Sequence, residues 1–132
     1  MTLTARQLIQ KTPKSRRSEF VKIEATKILK KKNGNRLVKS KVYSTHNIQG
    51  IRKSPPYTKY IATVEIDKKA VKVSCSCDDF WSVWEYALTQ KGAADIEYCN
   101  GQAPVEKNPQ LVAGMCKHLY KIITKLIDKD VL

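Results

Sequence analysis

Cys75-Ser-Cys77 and Cys116-Lys-His118 constrain this chain more than any other feature. Three thiols and one imidazole make a complete Cys3His ligand set for a tetrahedral metal ion, zinc above all. If the pairs converge, two segments some 40 residues apart in sequence are tied to one point. Residues two apart on a strand project to the same side, so Cys75 and Cys77 can face one ion where a strand ends. Residues two apart in a helix point about 200° apart. Cys116 and His118 therefore converge only with Cys116 just before a first helical turn and His118 inside it, where the positive end of the helix also favours a thiolate.

Each ligand has a plainer reading beside this one. A lone Cys is often a small buried hydrophobe, and a lone His is often a satisfied core residue. Two pairs, each beside the end of an expected element, favour one structural Zn2+ instead. Cys99 stands alone in an irregular stretch and is read as a non-ligand, and His46 as a surface loop residue.

The segments between the pairs define the expected fold. Thr4 to Lys11 reads as a short helix capped by Thr4 and ended by Thr12-Pro13. Lys14 to Arg17 is a basic link. Residues 18–32 fit two patterns. Val21, Ile23 and Ala25 alternate like a strand, whereas Val21, Ala25, Ile28 and Leu29 share a helical face. The reading favoured is a helical start that becomes a strand near Lys27, before the Asn33-Gly34 turn signal. Arg36–Thr45, Tyr57–Ile66 and Ala70–Ser74 read as strands of a meander that runs into Cys75. Asp78 or Asp79 is expected to cap a helix reaching Lys91 and stopped by Gly92. Leu119, Ile122, Ile123, Leu126 and Ile127 mark an amphipathic C-terminal helix from about Lys117 to Lys129.

The expected class is thus α+β: a small antiparallel β-meander packed with a C-terminal amphipathic helix and an inserted helix, clipped by zinc. Residues 1–35 read as a basic, partly helical N-terminal segment. Residues 36–132 read as the zinc-binding domain, with a long insertion at 78–115.

These residues resemble a known family, the SWIM-type zinc finger, whose signature is Cys-x-Cys followed by Cys-x-His. Val71 to Phe80 is similar to the family's strand entering the first pair, and Cys116-Lys117-His118-Leu119 to its C-terminal element. The resemblance spans about residues 57–127 and implies zinc ligation by Cys75, Cys77, Cys116 and His118. Asp78 stands where the family often has Pro, and the spacer from Asp78 to Met115, at 38 residues, is long for it. The inserted segment, with Trp84 to Leu88 and Gly92 to Ile96, resembles SWIM-like proteins of tailed bacteriophages. That likeness implies a virion or assembly role and a virion or host-cytoplasm location.

Charge bears on partners. Residues 1–60 hold 16 Lys/Arg against 2 Asp/Glu, and residues 61–132 hold 9 against 10. The basic half offers Arg16, Arg17, Lys30, Lys31, Lys32, Lys39, Lys41, Arg52 and Lys53 to a partner protein or to nucleic-acid phosphates, or simply to water. SWIM modules are described as binding DNA or proteins, so the resemblance does not choose between these partners. No membrane partner is expected: no apolar run reaches the ~18–20 residues of a spanning helix, and Met1 to Gln10 lacks the apolar run of a secretory leader. No small-molecule substrate is expected either. No GxSxG, P-loop or HExxH pattern occurs, and four protein ligands leave a tetrahedral zinc no open position, so the expectation is a non-enzymatic module. Trp84 reads as core, as does Trp81, the one of the two that could face a partner.

Overall fold

The computed structural model describes residues 2–13, 18–47 and 49–132. The fold is α+β. Four strands, β1 (Val21–Lys30), β2 (Arg36–Ser44), β3 (Tyr60–Asp67) and β4 (Ala70–Cys75), form an antiparallel meander in the order β1-β2-β3-β4. One face is buried by strict alternation and is mostly apolar: Val38, Ser40, Val42 and Ser44 on β2, Ala62, Val64 and Ile66 on β3, Val71, Val73 and Cys75 on β4. The C-terminal helix α3 (Lys117–Asp128) lays Leu119, Ile122, Ile123 and Leu126 onto this face, and the first helix α1 (Ala5–Lys11) packs against α3. Burial of this apolar surface stabilises the fold at roughly 25 cal/mol per Å2.

Residues 2–13 join the same core through Leu3, Ala5 and Leu8. Thr4 caps α1 in a full capping box with Gln7. Leu3 and Thr4 then run beside β4, where the Val71 amide donates to the Leu3 carbonyl at 2.9 Å. At the other end of α1, Thr12 Oγ1 donates to the Leu8 carbonyl and accepts the Met115 amide at 3.1 Å, next to Cys116.

The expected helical start within 18–32 is corrected: β1 is a strand throughout, with one bulge between Ile23 and Ala25. Asn33-Gly34 forms the turn joining it to β2, with Gly34 at φ +89°. The helix-like pattern came from Ile28 and Leu29, which are 56% and 51% exposed and so report no packed face. Cross-strand pairing decides the structure there, overriding a weak local pattern.

After Cys77 the chain turns into a π-helical stretch, Phe80–Trp84, that continues as α2 (Glu85–Gln90). Phe80, Trp84, Ala87 and Leu88 are buried, as their spacing implies, and Trp81 is 38% exposed. Gly92, at φ +70°, ends the helix, its amide and that of Ala93 donating to the Thr89 and Leu88 carbonyls. The capping role expected of Asp78 or Asp79 is corrected. Their carboxylates accept the indole N–H groups of Trp81 and Trp84, both at 3.1 Å. Among the described residues no helix is long and apolar enough to cross a membrane.

Candidate metal centre

The two Cys/His pairs meet at one corner of the core. β4 places Cys75 on the buried face after Val71 and Val73, and Ser76 steps the chain past the strand end. Ser76 is pinned there, its amide donating to the Ile61 carbonyl and its hydroxyl accepting the Ile61 amide at 3.0 Å. Cys77 therefore turns back towards Cys75. Across from them, Cys116 occupies the N-cap position of α3 with extended backbone (φ −71°, ψ 165°), and His118 is the second helical residue. The Cys116 side chain makes no capping bond, which leaves its sulfur for the cluster.

One donor atom from each of Cys75, Cys77, Cys116 and His118 lies within 4.8 Å of every other, and all four residues are buried. A tetrahedron built on ~2.3 Å Zn–S bonds has edges near ~3.8 Å, so the donors stand close to coordination distance. The imidazole is oriented for the task. Its Nδ1 lies 4.0 Å from Cys75 Sγ, while Nε2 lies 3.3 Å from the buried Ser44 hydroxyl. A ring whose Nδ1 faces the thiols carries its proton on Nε2 and donates it to Ser44. This is the outer bond that typically fixes the tautomer of a ligating His. The Tyr60 ring, 5.1 Å away, packs against the same imidazole.

The sulfurs hold protons unequally. Contacts with Cys116 and then Cys75 push the Cys77 thiol down, whereas burial, then the two neighbouring sulfurs, push Cys116 up. A soft or borderline cation relieves that competition by replacing the protons. These residues fit a single metal ion.

The cluster is not sealed on every side. Cys77 and His118 help to line a cavity of about 560 Å3, walled also by Phe20, His46, Tyr60 and Lys117. His46 is half-buried, its ring stacked on Phe20 with centroids 3.8 Å apart and its Nδ1 bonded to Thr45 Oγ1 at 2.8 Å. Burial, followed by the nearby charge of Lys53, pushes the Lys117 ammonium down. Cys99 lies outside the cluster, half-buried in the insertion.

The basic residues singled out in the sequence do not share one surface. Lys39 and Lys41 lie on the exposed face of β2, while Lys30, Lys31 and Lys32 cluster at the β1–β2 hairpin, Lys31 bonded to Glu65 at 2.6 Å. Arg52 and Lys53 belong to the loop beside His46, with Arg52 bridging back to it. Arg16 and Arg17 lie outside the described residues.

Two organising side chains in the insertion were missed. Glu85, fully buried, accepts the backbone N–H groups of Glu97, Tyr98 and Cys99 at 2.8–3.2 Å and so folds the irregular segment onto its own helix. Asn108 donates to the Val83 and Val112 carbonyls and accepts the Val112 amide. The only signal for Glu85 was a charged residue among apolar neighbours, and Asn108, in the run Glu106-Lys107-Asn108-Pro109-Gln110, gave none.

No family model, curated protein or solved structure matches the chain. What the structure supports is the convergence of Cys75, Cys77, Cys116 and His118, a cluster that could hold a metal ion.

Proposed function

We propose that this chain is a non-enzymatic zinc-binding module whose single structural Zn2+ clips β4 to α3, and that the stapled module serves as an assembly protein, a virion component of a tailed phage. The convergence of Cys75, Cys77, Cys116 and His118 carries the reading. Three thiols and an imidazole are the donor set of structural zinc sites, and once occupied such a site keeps no open position for substrate. The metal shapes the fold, and partner contact falls to other surfaces. Docking through the insertion and the basic N-terminal segment has support in exposed apolar side chains on the insertion: Trp81, Ile96, Tyr98, Val105 and Val112. Mass spectrometry of purified particles of the phage encoding the chain tests the role. The protein is expected there in a fixed copy number, and its absence contradicts the assembly reading.

A second reading, contact of the basic half with nucleic-acid phosphates, is favoured by a specific observation on the sheet: Lys27 stands directly opposite Lys39.

A further inference from the structure

The solvent face of the sheet carries a charge arrangement that neither the core nor the metal site uses. In the β1–β2 register Lys22 pairs with Tyr43, Ala25 with Lys41 and Lys27 with Lys39. Val38, Ser40 and Val42 alternate with Lys39 and Lys41 and are buried, so these lysines stand on the opposite, solvent face. Lys22, Lys27, Lys39 and Lys41 are all exposed. Glu24 is shared between Lys41, at 3.6 Å, and Lys59, and Glu65 is engaged by Lys31 and Asn35. Among the described residues neither Lys27 nor Lys39 has an ion-pair partner. Like charges directly opposite on paired strands weaken the pairing. A polyanion laid across the two strands removes that repulsion.

Resting on the second reading above, we propose that the outer face of β1 and β2 binds a nucleic-acid strand through its phosphates, with Lys22, Lys27, Lys39 and Lys41 as the contacts. Two observations favour this occupant over a protein. Lysine is depleted in protein interfaces, whose energy comes from buried aromatic and arginine anchors. Addition of a partner strand to the edge of β1 is opposed by its bulge and its lysines. The contact is to backbone charge and is therefore sequence-tolerant.

The test uses the zinc-loaded full chain and fluorescence anisotropy with short mixed-sequence single-stranded DNA and RNA at stepped salt. Three to four phosphate contacts predict a slope of log affinity against log salt of about −2 to −3, from roughly −0.7 per contact on a single strand. Lys27→Glu sets opposite charges across the pair. It is expected to raise the melting temperature while weakening binding and flattening the slope by about 0.7. A purely structural lysine would not move these two readouts in opposite directions. The double variant Lys27→Gln/Lys39→Gln is expected to flatten the slope by about 1.4, and Lys32→Gln/Arg52→Gln, equal in charge change, to leave it unaltered. Reversed behaviour of the two double variants overturns the face but keeps the nucleic-acid reading. No binding by the unaltered protein at low salt overturns both, and equal affinity for a polyglutamate peptide overturns the choice of occupant.

Discussion

The Ser44 hydroxyl lies 3.3 Å from Nε2 of His118, on the ring edge opposite the atom that faces the thiols. The relationship joins the end of β2 to the first turn of α3 and points the imidazole at the sulfurs. Ser44→Ala leaves four ligands in place and removes only the group that orients one of them. It is expected to weaken zinc affinity by about 10–100-fold in competition with a chromogenic chelator, with the far-ultraviolet circular dichroism spectrum retained. Unchanged affinity would show that packing by Tyr60 alone positions the ring.

Glu85 concentrates the order of the insertion in one side chain. Replacing it with Ala leaves the part-buried amides of residues 97–99 without their acceptor. A loss of about 2–4 kcal/mol in denaturant unfolding is expected, from three charge-assisted bonds and the desolvation of their donors. Hydrogen exchange should accelerate first at residues 97–99, ahead of the sheet. Uniform acceleration would mean the segment is held by other contacts.

Gly114 sits against the indole of Trp84: a Cβ built there falls 2.8 Å from Cζ3 of that ring. Neither is free to shift, since Trp84 Nε1 is bonded to Asp79 and Gly114 is followed by Met115, itself tied to Thr12. Gly114→Ala is therefore expected to destabilise by about 1–3 kcal/mol through overpacking, with a changed tryptophan emission maximum. Equal stability would show that the indole can yield.

Acid should weaken one surface contact in a defined direction. Burial of Glu65 acts to raise its carboxyl, but the bonds from Lys31 and Asn35 outweigh this and hold it below its ordinary 4.5. A depressed folded-state value means the contribution is present above the unfolded value and is lost as pH falls through the folded one. Lys31 is 42% exposed, so the contribution is expected to be below about 1 kcal/mol. Stability measured between neutral pH and pH values below 4.5 should fall less steeply in Glu65→Gln than in the parent. Parallel curves would remove the ion pair from the account.

What the sequence made legible follows from where burial is one-sided. β2, β3 and β4 bury one face each, so alternation located them, and α3 buries one stripe, so its period located it. β1 buries little beyond Val21 and Ile23, which left its pattern open to two interpretations. The convergence of the four Cys/His side chains was legible because a metal site demands particular residue types at particular spacings. Ser44, Glu85 and Asn108 were not, because their partners are backbone or ring atoms brought near only by the fold. The lysines were visible as a count. Their separation into a sheet face, a hairpin and a loop depends on a register that no local pattern specifies.

Elemental analysis of the purified chain and of its Cys75→Ser and Cys116→Ser variants tests the central claim most directly. One zinc per chain is expected in the parent and none in either variant. Loss of exchange protection across α3 should accompany it, because structural zinc in small modules supplies folding free energy on the order of 10 kcal/mol. One zinc retained in both variants, or a parent that folds alike with and without the metal, would contradict it.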